Sequence, residues 1–270
     1  MLRTDWHHLP PGARSAVQTQ TGTVLSATTA SDGLNSEVAA TLQLEDGKKI
    51  FLKGLRVDHP GVVTQHREAM IAPFVGEVTP RLLWQVEAEG WNFLAFEHVD
   101  ARHADYSPGS EDIQKTVDAI GVLGKIACPD LPLKQAEKRW GSYVDSEFER
   151  GMLRGDALLH TDYNPPNVLI TEDDTYLIDW AWPTRGAAWI DPACLVVRLI
   201  DAGNTPAEAE HWAGHTPAWS EAPTEALDMF SRAGWRMWDQ IAGHDPADWK
   251  FSVAASAKAW MDHRAARSNA

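Results

Sequence analysis

The chain has 270 residues, of which 24 are Lys or Arg and 38 are Asp or Glu, giving a formal net charge of -14 at pH 7. This length suffices for one large domain or two smaller lobes. The negative charge argues against nucleic acid as a partner, because phosphate binding depends on clustered cations, and it favours neutral or cationic small molecules.

The two cysteines are too few for a disulfide framework. The first residues, MLRTDWHHLPPG, lack the apolar core of a signal peptide, and no apolar run approaches the roughly 20 residues of a membrane span. We therefore expect a cytoplasmic protein with no membrane partner, either a monomer or a homodimer.

The N-terminal part shows mainly β-strand patterns after residues 1–20, which predict a loop or a short helix. Three strands, TGTVLSATT, EVAATLQL and KKIFLKGL, are separated by polar turns, and the first turn holds a single glycine, Gly33. A helical pattern over residues 63–75 and two further strands, RLLWQVEA and NFLAFEHV, follow. Residues 1–98 are thus predicted to form an antiparallel sheet with one helix.

Beyond Asp100 the pattern is mainly helical. Ser110 is a possible N-cap for a helix over residues 111–127, and apolar spacing predicts a second helix over residues 133–153. Further helices are predicted in ACLVVRLI, over residues 224–241, and after Asp245 as N-cap. Residues 99–270 are therefore predicted to form a larger, mainly helical lobe.

Within this lobe, the stretch LLHTDYNPPNVLITEDDTYLID predicts a β-hairpin in which VLIT and YLID flank the turn EDDT. Pairing in register across this four-residue connection would place Val168 opposite Asp179 and bring Asn167 within roughly 5 Å of Asp179. An amide oxygen beside a carboxylate is a hard oxygen site suited to Mg²⁺. Asp162 lies five residues before Asn167 in a loop stiffened by two prolines, and it can add a second carboxylate.

The pattern H-x-D-x-x-x-x-N, followed one hairpin later by Asp, resembles the catalytic loop and metal-binding Asp of the protein-kinase-like fold. HTDYNPPNVLI and LIDW are most similar to the aminoglycoside and choline phosphotransferase family. The resemblance implies an α+β, two-lobed fold, with a nucleotide-covering antiparallel β lobe over residues 1–98. Residues 99–270 would form a helical lobe that carries the catalytic hairpin and binds the acceptor.

The resemblance also implies roles in the loop. Asp162 would orient the acceptor hydroxyl and take its proton, and His160 would brace the loop. Asn167 and Asp179 would be the Mg²⁺ ligands. Asp191, in WIDPA, would be the buried carboxylate that hydrogen-bonds the loop backbone.

Three positions depart from this family pattern. Trp180 follows the metal-binding Asp, and Thr161 and Pro166 stand where the family commonly has glycine. We therefore expect the loop backbone to differ in detail from that of the family.

The same resemblance assigns nucleotide-binding residues in the N-terminal lobe. Lys53 and Glu68 resemble the strand lysine and helix glutamate that pair in this fold, with the lysine reaching the phosphates. Phe96 would precede the hinge, where Glu97 and Val99 would contact adenine through their backbone. The implied cofactors are ATP, with GTP as the alternative, and Mg²⁺.

The implied reaction is transfer of the γ-phosphate to a hydroxyl of a small molecule, such as an aminoglycoside-like antibiotic, an amino sugar or an amino alcohol. Two groups of residues are candidates for the acceptor pocket. One is a set of tryptophans: Trp182, Trp189, Trp212, Trp219, Trp235, Trp238, Trp249 and Trp260. The other is a set of acids that could bind substrate ammonium groups: Glu208, Glu210, Glu221, Glu225, Asp228 and Asp239.

Other functions fit the same residues. A nucleotide-binding pseudokinase, or a kinase of a peptide hydroxyl, would keep this machinery. A metal-dependent hydrolase would use His160, Asp162 and Asp179 instead. Such a hydrolase predicts a tightly bound transition metal and no stabilisation by ATP.

Overall fold

The computed structural model describes residues 3–30 and 36–268, so the turn that contains Gly33 lies outside the described residues. The chain divides into two compact units. Met1–Ala101 with Ile178–Ala181 form the N-terminal unit, and Arg102–Leu177 with Trp182–Ala270 form the C-terminal unit. The predicted lobe boundary after residue 98 stays a prediction.

The N-terminal unit is built on a five-stranded antiparallel sheet with strand order β1-β2-β3-β5-β4. Its strands are β1 (Val24–Thr29), β2 (Val38–Leu44), β3 (Lys49–Arg56), β4 (Leu82–Ala88) and β5 (Trp91–Glu97). Its helices are α1 (Pro11–Thr21) and α2 (Val62–Ile71), with short 3₁₀ turns at Trp6–His8 and Ala72–Phe74.

Strand β5 lies inside the sheet, paired with β3 and β4, and all its residues from Trp91 to Phe96 are buried. Trp91, Phe93 and Ala95 share a core with Ala13 and Val17 of α1. The predicted loop or short helix before the sheet is thus an 11-residue helix. Alternate side chains of β5 point to the other face. There the Asn92 amide donates a 2.7 Å hydrogen bond to Gln65 of α2, so the two helices cover opposite faces.

The C-terminal unit combines helices with two small sheets, ordered β10-β9-β6 and β7-β11-β8. Its strands are β6 (Arg102–His103), β7 (Lys134–Gln135), β8 (Ala157–Leu159), β9 (Val168–Ile170), β10 (Thr175–Leu177) and β11 (Thr184–Gly186). Its helices are α3 (Asp112–Leu123), α4 (Ala136–Arg139), α5 (Glu147–Met152), α6 (Ile190–Asp201), α7 (Pro206–Ala213), α8 (Pro217–Ser220), α9 (Thr224–His244) and α10 (Asp248–Ser268), with a 3₁₀ turn at Pro165–Asn167. Among the described residues, none of the helices is both long and apolar enough to cross a bilayer.

The predicted hairpin forms, but its predicted register is wrong. Val168 pairs with Leu177 rather than with Asp179. The Thr171 hydroxyl accepts a 2.8 Å hydrogen bond from the Asp174 N–H, and the Thr171 N–H donates to the Asp174 carbonyl at 2.9 Å. These bonds close the turn one residue earlier than predicted. Asp179 therefore lies two residues beyond the ladder, and the ladder does not place it beside Asn167.

The helix predicted over residues 133–153 is also wrong, because this segment contains β7, followed directly by α4, and then α5 after a turn. The chain turns at Gly141, where an added Cβ would lie 2.1 Å from the Glu137 carbonyl oxygen. Phe148 and Trp140, which helical spacing would place on one face, are 76% and 2% exposed. Apolar spacing alone cannot show that a backbone contact requires glycine at this position.

The predicted helices over residues 111–127 and 224–241 and in ACLVVRLI correspond to α3, α9 and α6. Asp245 was wrongly predicted as the N-cap of the last helix. It lies at the C-terminal end of α9 and contacts Lys250, and α10 begins at Asp248.

Candidate active site

A buried ion cluster in the N-terminal unit contains Lys53, Glu68 and Asp179. Lys53 lies on β3, and Glu68 lies on the buried face of α2, which the Gln65–Asn92 hydrogen bond fixes against the sheet. The Lys53 Nζ lies 2.7 Å from Glu68 Oε2 and 3.1 Å from Asp179 Oδ1. The three side chains are 13%, 6% and 19% exposed, so the ammonium is fixed between two carboxylates and screened little by solvent.

The cluster keeps Lys53 charged. Burial disfavours the ammonium, but the charges of Asp179 and Glu68 outweigh it and raise the pKa of Lys53 above its ordinary value. Burial raises the pKa of Glu68, while Lys53 and a hydrogen bond from the Trp180 backbone act in the opposite direction. Asp179 has a φ of 62°, a conformation that Asp tolerates better than most residues. The result is a positive charge held at a defined position.

The predicted hinge residues lie at the end of β5. Phe96 is buried, and Glu97 and Val99 are half-buried. The Glu97 carboxylate accepts a 2.9 Å hydrogen bond from Arg81 Nε. Within the described residues, the Val99 backbone N–H and carbonyl have no hydrogen-bond partner. That pair is the donor and acceptor that an adenine edge needs.

In the C-terminal unit, a buried carboxylate holds the loop that carries Asp162. Asp191, at the start of α6, accepts hydrogen bonds from the backbone N–H groups of His160 and Thr161 at 3.0 and 2.9 Å. Burial raises the pKa of Asp191, and these donors act against that shift. The His160 ring is 2% exposed, and its Nδ1 accepts from the Asp162 N–H at 3.3 Å. Two side chains therefore fix three consecutive backbone positions.

Thr161 shows why glycine is common at this position. Its φ of 70° lies in the left-handed region, which costs a residue with a Cβ roughly 1–2 kcal/mol. Arg139 Nη1 donates 2.7 Å hydrogen bonds to the hydroxyls of Thr161 and Thr184. These bonds give the threonine side chain a function that glycine would lack.

The Asp162 carboxylate is 36% exposed, and one oxygen is already engaged. Arg198 Nη2, on α6, lies 3.3 Å from Asp162 Oδ1, and its guanidinium lies over the Trp238 ring. Asn167 Nδ2 lies 3.4 Å from the Asp162 carbonyl oxygen. This orientation leaves the Asn167 amide oxygen without a donor in the described chain.

Comparison with known proteins gives no match to a family model and no match to a curated protein sequence. Solved structures do match. An aminoglycoside phosphotransferase from Alicyclobacillus acidocaldarius has a TM-score of 0.61 at 14% identity, with 96% of each chain covered. Choline kinase LicA from Streptococcus pneumoniae has a TM-score of 0.63 at 14% identity, covering 93% of this chain and 98% of that one.

A third similar structure is a mutant of aminoglycoside phosphotransferase APH(4)-Ia in complex with ADP and hygromycin B. Its TM-score is 0.57 at 13% identity, with 90% of this chain and 97% of that chain covered. The chain has a protein-kinase-like fold. The predicted α+β class, with an antiparallel sheet and a helical part, is confirmed. At these identities the likeness concerns the fold alone.

The kinase-like fold distributes the predicted residues between the units. It brings Lys53, Glu68 and Asp179 together in the N-terminal unit. In the C-terminal unit it places His160, Asp162 and Asn167 on one loop and Asp191 on α6 beneath it.

Sequence reasoning missed two arginines at this loop, Arg139 and Arg198. Arg198 left a weak signal, a lone charge in the apolar helix ACLVVRLI. Arg139 left none, because its role depends on tertiary packing.

The hydrolase alternative requires a cluster of metal-binding side chains. In the part of the chain that the structure describes, no group of three or more His, Cys, Asp or Glu residues is arranged to hold a metal ion. Mg²⁺ needs fewer protein ligands than such a cluster supplies, because it keeps several waters and substrate phosphates as ligands.

Proposed function

We propose that the protein is an ATP-dependent phosphotransferase that transfers the γ-phosphoryl group to a hydroxyl of a small molecule, with GTP as the alternative donor. The observation that carries this proposal is the Lys53 ammonium, held 2.7 Å from Glu68 and 3.1 Å from Asp179. A lysine between the buried Glu68 and the partly buried Asp179 carries a desolvation cost that a well-packed apolar side chain there would avoid. Binding of nucleotide phosphates supplies a reason for that cost.

The chemistry of the side chains fits a Mg²⁺-nucleotide. The Asp179 carboxylate and the amide oxygen of Asn167, which accepts no hydrogen bond within the described chain, are hard oxygen donors and would hold the metal ion. When bound, Mg²⁺ would offset the negative charge of the phosphates. The Val99 backbone would read the adenine edge. Lys53 would contact the phosphates, and Glu68 would hold its ammonium in place.

Asp162 would act on the acceptor. Arg198 engages its Oδ1, so Oδ2 is the oxygen expected to accept the hydroxyl proton. As the bond from the acceptor oxygen to the γ-phosphorus forms, the bond from that phosphorus to the β–γ bridging oxygen breaks, and ADP leaves. The side chains of His160 and Asp191 accept hydrogen bonds from the loop backbone and hold the loop in place, which matters because phosphoryl transfer depends chiefly on positioning. Aminoglycosides, other antibiotics, amino sugars and amino alcohols are the first acceptors to screen, because structures with this fold include an aminoglycoside phosphotransferase and a choline kinase.

Two variants separate the proposed roles. Asp162→Ala should bind Mg²⁺-ATP within about twofold of wild type but lose most turnover, roughly 10²-fold or more. Asp179→Ala should weaken Mg²⁺-ATP binding itself. Asp173→Ala is a matched control in the exposed hairpin turn and should behave as wild type.

The assay is ATP consumption with and without each acceptor, together with calorimetric titration of Mg²⁺-ATP. Equal loss of ATP binding in Asp162→Ala and Asp179→Ala would contradict the division of roles. Tight ATP binding by the wild type without hydrolysis, with or without any acceptor, would favour the pseudokinase alternative.

A further inference from the structure

Arg139 ends α4 beside the loop that carries Asp162. Its Nη1 donates to the hydroxyls of Thr161 and Thr184, and the Trp182 carbonyl oxygen lies 3.5 Å away. Thr161 immediately precedes Asp162, so the guanidinium lies next to the proposed acceptor base. Every one of these contacts is to a neutral oxygen.

The remaining edge of this guanidinium has no partner. Within the described residues, Nε and Nη2 of Arg139 make no hydrogen bond, and no carboxylate oxygen lies within 4.0 Å of the group. Neither nitrogen is completely buried. Nε–H and Nη2–H form the edge from which arginine donates two parallel hydrogen bonds to a carboxylate or phosphate.

Other largely buried arginines of the C-terminal unit have a carboxylate partner. Two other largely buried arginines, Arg198 and Arg264, each contact a carboxylate, at 3.3 and 2.6 Å. Burial lowers the pKa of Arg139, and the charges of Asp191 and Asp162 act against that shift from beyond contact distance. A partly buried charge with no carboxylate in direct contact is costly, which favours a partner from outside the chain.

Two tryptophan rings and one lysine lie close to Arg139. Its guanidinium lies 4.3 Å from the centre of the Trp140 ring and 5.6 Å from that of Trp182. Trp182 is 43% exposed, and Lys134 Nζ lies 4.2 Å from the same ring. Cation–π contacts replace part of the lost hydration, but they do not neutralise charge. The surface that Arg139, Trp182 and Lys134 form therefore suits an anion.

Several acids that the sequence suggested for binding substrate ammonium groups are already engaged elsewhere. Glu210 and Asp228 both contact Arg264 at 2.6 Å. Glu208 forms a capping box with Thr205 at the start of α7. The negative net charge led us to expect a neutral or cationic acceptor, but it does not describe the immediate surroundings of Asp162.

We propose that the free edge of Arg139 binds an anionic group of the acceptor, a carboxylate or a phosphate ester, close to the hydroxyl that is phosphorylated. That the anion belongs to a phosphoryl acceptor rests on the proposed function, whereas binding of an anion by Arg139 does not require catalysis. The acceptor class is then hydroxylated acids and phosphate esters, including molecules that also carry an amine.

The first test titrates inorganic phosphate into the full chain without nucleotide, followed by ³¹P NMR line broadening. Lys53→Met serves as the background, because it removes the other candidate phosphate-binding cation. The titration is run below neutral pH, where the stability loss predicted for this variant is smaller. Adding Arg139→Gln should raise the phosphate dissociation constant at least tenfold. Adding Arg154→Gln, an exposed arginine of the same unit, should leave it unchanged. Equal dissociation constants for these two double variants, or no saturable phosphate binding, would overturn the proposal.

Two further arms keep the test decisive. If circular dichroism shows that Arg139→Gln is unfolded, Arg139→Lys replaces it and should still weaken binding several-fold, because an ammonium lacks the two-pronged edge. A parallel titration with acetate, followed by ¹H NMR, shows whether carboxylate or phosphate binds more tightly, and binding of either through Arg139 supports the proposal.

A last arm distinguishes the acceptor from the transferred group. Wild-type protein saturated with Mg²⁺ and the non-hydrolysable ATP analogue AMP-PNP should still bind phosphate. Competitive displacement of phosphate by the analogue would assign Arg139 to the transferred phosphoryl group instead and overturn the acceptor assignment. Failure of the analogue to bind would contradict the proposed function, while the nucleotide-free titration would still decide whether Arg139 binds an anion.

Discussion

Replacing Lys53 by methionine tests how strongly the buried ion cluster is coupled. Methionine keeps the length of the side chain but removes the ammonium, leaving the carboxylates of Glu68 and Asp179 close together with little access to water. The structure therefore predicts a loss of stability that depends on pH and on the presence of Glu68.

The distances set the magnitude. At an effective dielectric constant near 20, unit charges 2.7 and 3.1 Å apart attract by about 6 and 5 kcal/mol. Desolvation of the three groups offsets much of this attraction. Removing one partner of a buried pair typically costs about 3–5 kcal/mol, which is the loss expected for Lys53→Met at neutral pH.

The pH dependence follows from Glu68, whose pKa burial raises. When a carboxyl has a raised pKa in the folded state, folding favours its protonated form. The free-energy cost of burying the ionised form is therefore absent at low pH and appears as the pH rises through the unfolded-state pKa. In Lys53→Met the lysine that offsets this cost is gone, so the cost of burying the Glu68 carboxylate grows. The loss in free energy of unfolding relative to wild type should therefore shrink as the pH falls below neutral.

Urea unfolding followed by circular dichroism measures the effect in Lys53→Met, Glu68→Gln and the double variant. The double variant should recover about 1–3 kcal/mol relative to the sum of the single changes. Lys48→Met is the matched control, because Lys48 is an exposed lysine next to the same strand pair, and it should be indistinguishable from wild type. Additive losses, or a Lys53→Met variant as stable as this control, would refute the reasoning.

Three further predictions concern the C-terminal unit. Thr161→Val removes the hydroxyl that accepts a hydrogen bond from Arg139 and should lower the free energy of unfolding, measured with urea, by about 1.5–3 kcal/mol. Gly141→Ala places a methyl group 2.1 Å from the Glu137 carbonyl oxygen and should cost about 1–3 kcal/mol. A hydrogen bond from Arg102 is the main cause that lowers the pKa of Asp112, so Asp112→Asn should be less stable than wild type near neutral pH. That difference should vanish in acid as wild-type Asp112 is protonated, below its ordinary pKa of 3.8.

Each of these predictions has its own control. Thr161→Ser keeps the hydroxyl and should stay near wild type, so equal losses for valine and serine would contradict the role of the hydrogen bond. Gly151→Ala meets nothing within 4 Å and should be neutral or stabilising. A stability difference for Asp112→Asn that persists at low pH would contradict the assigned cause of the shift.

Local patterns predicted much of the fold because they coincide with tertiary burial. β-strand patterns in the sequence predicted all five strands of the N-terminal sheet, among them the strand that carries Lys53. The hairpin register failed because the Thr171 hydroxyl competes for the turn backbone, an interaction that periodicity does not encode. The spacing of Thr205 and Glu208 is typical of a capping box and marks the start of α7, a helix that apolar spacing alone did not predict.

The site was predictable only where its residues follow one another along the chain. His160, Asp162 and Asn167 share a short segment, so their spacing carries information about their geometry. Arg139 reaches the same loop from a four-residue helix that follows a two-residue strand, and no spacing rule connects them. Positions whose partners come from distant segments become visible only in three dimensions.

Titration of the wild-type chain with ATP, by calorimetry in excess Mg²⁺ and again in EDTA, tests the central claim most directly. We predict saturable binding of one nucleotide per chain in Mg²⁺ and at least tenfold weaker binding in EDTA. No detectable binding in Mg²⁺, or an affinity that does not change when the metal ion is removed, would contradict the account.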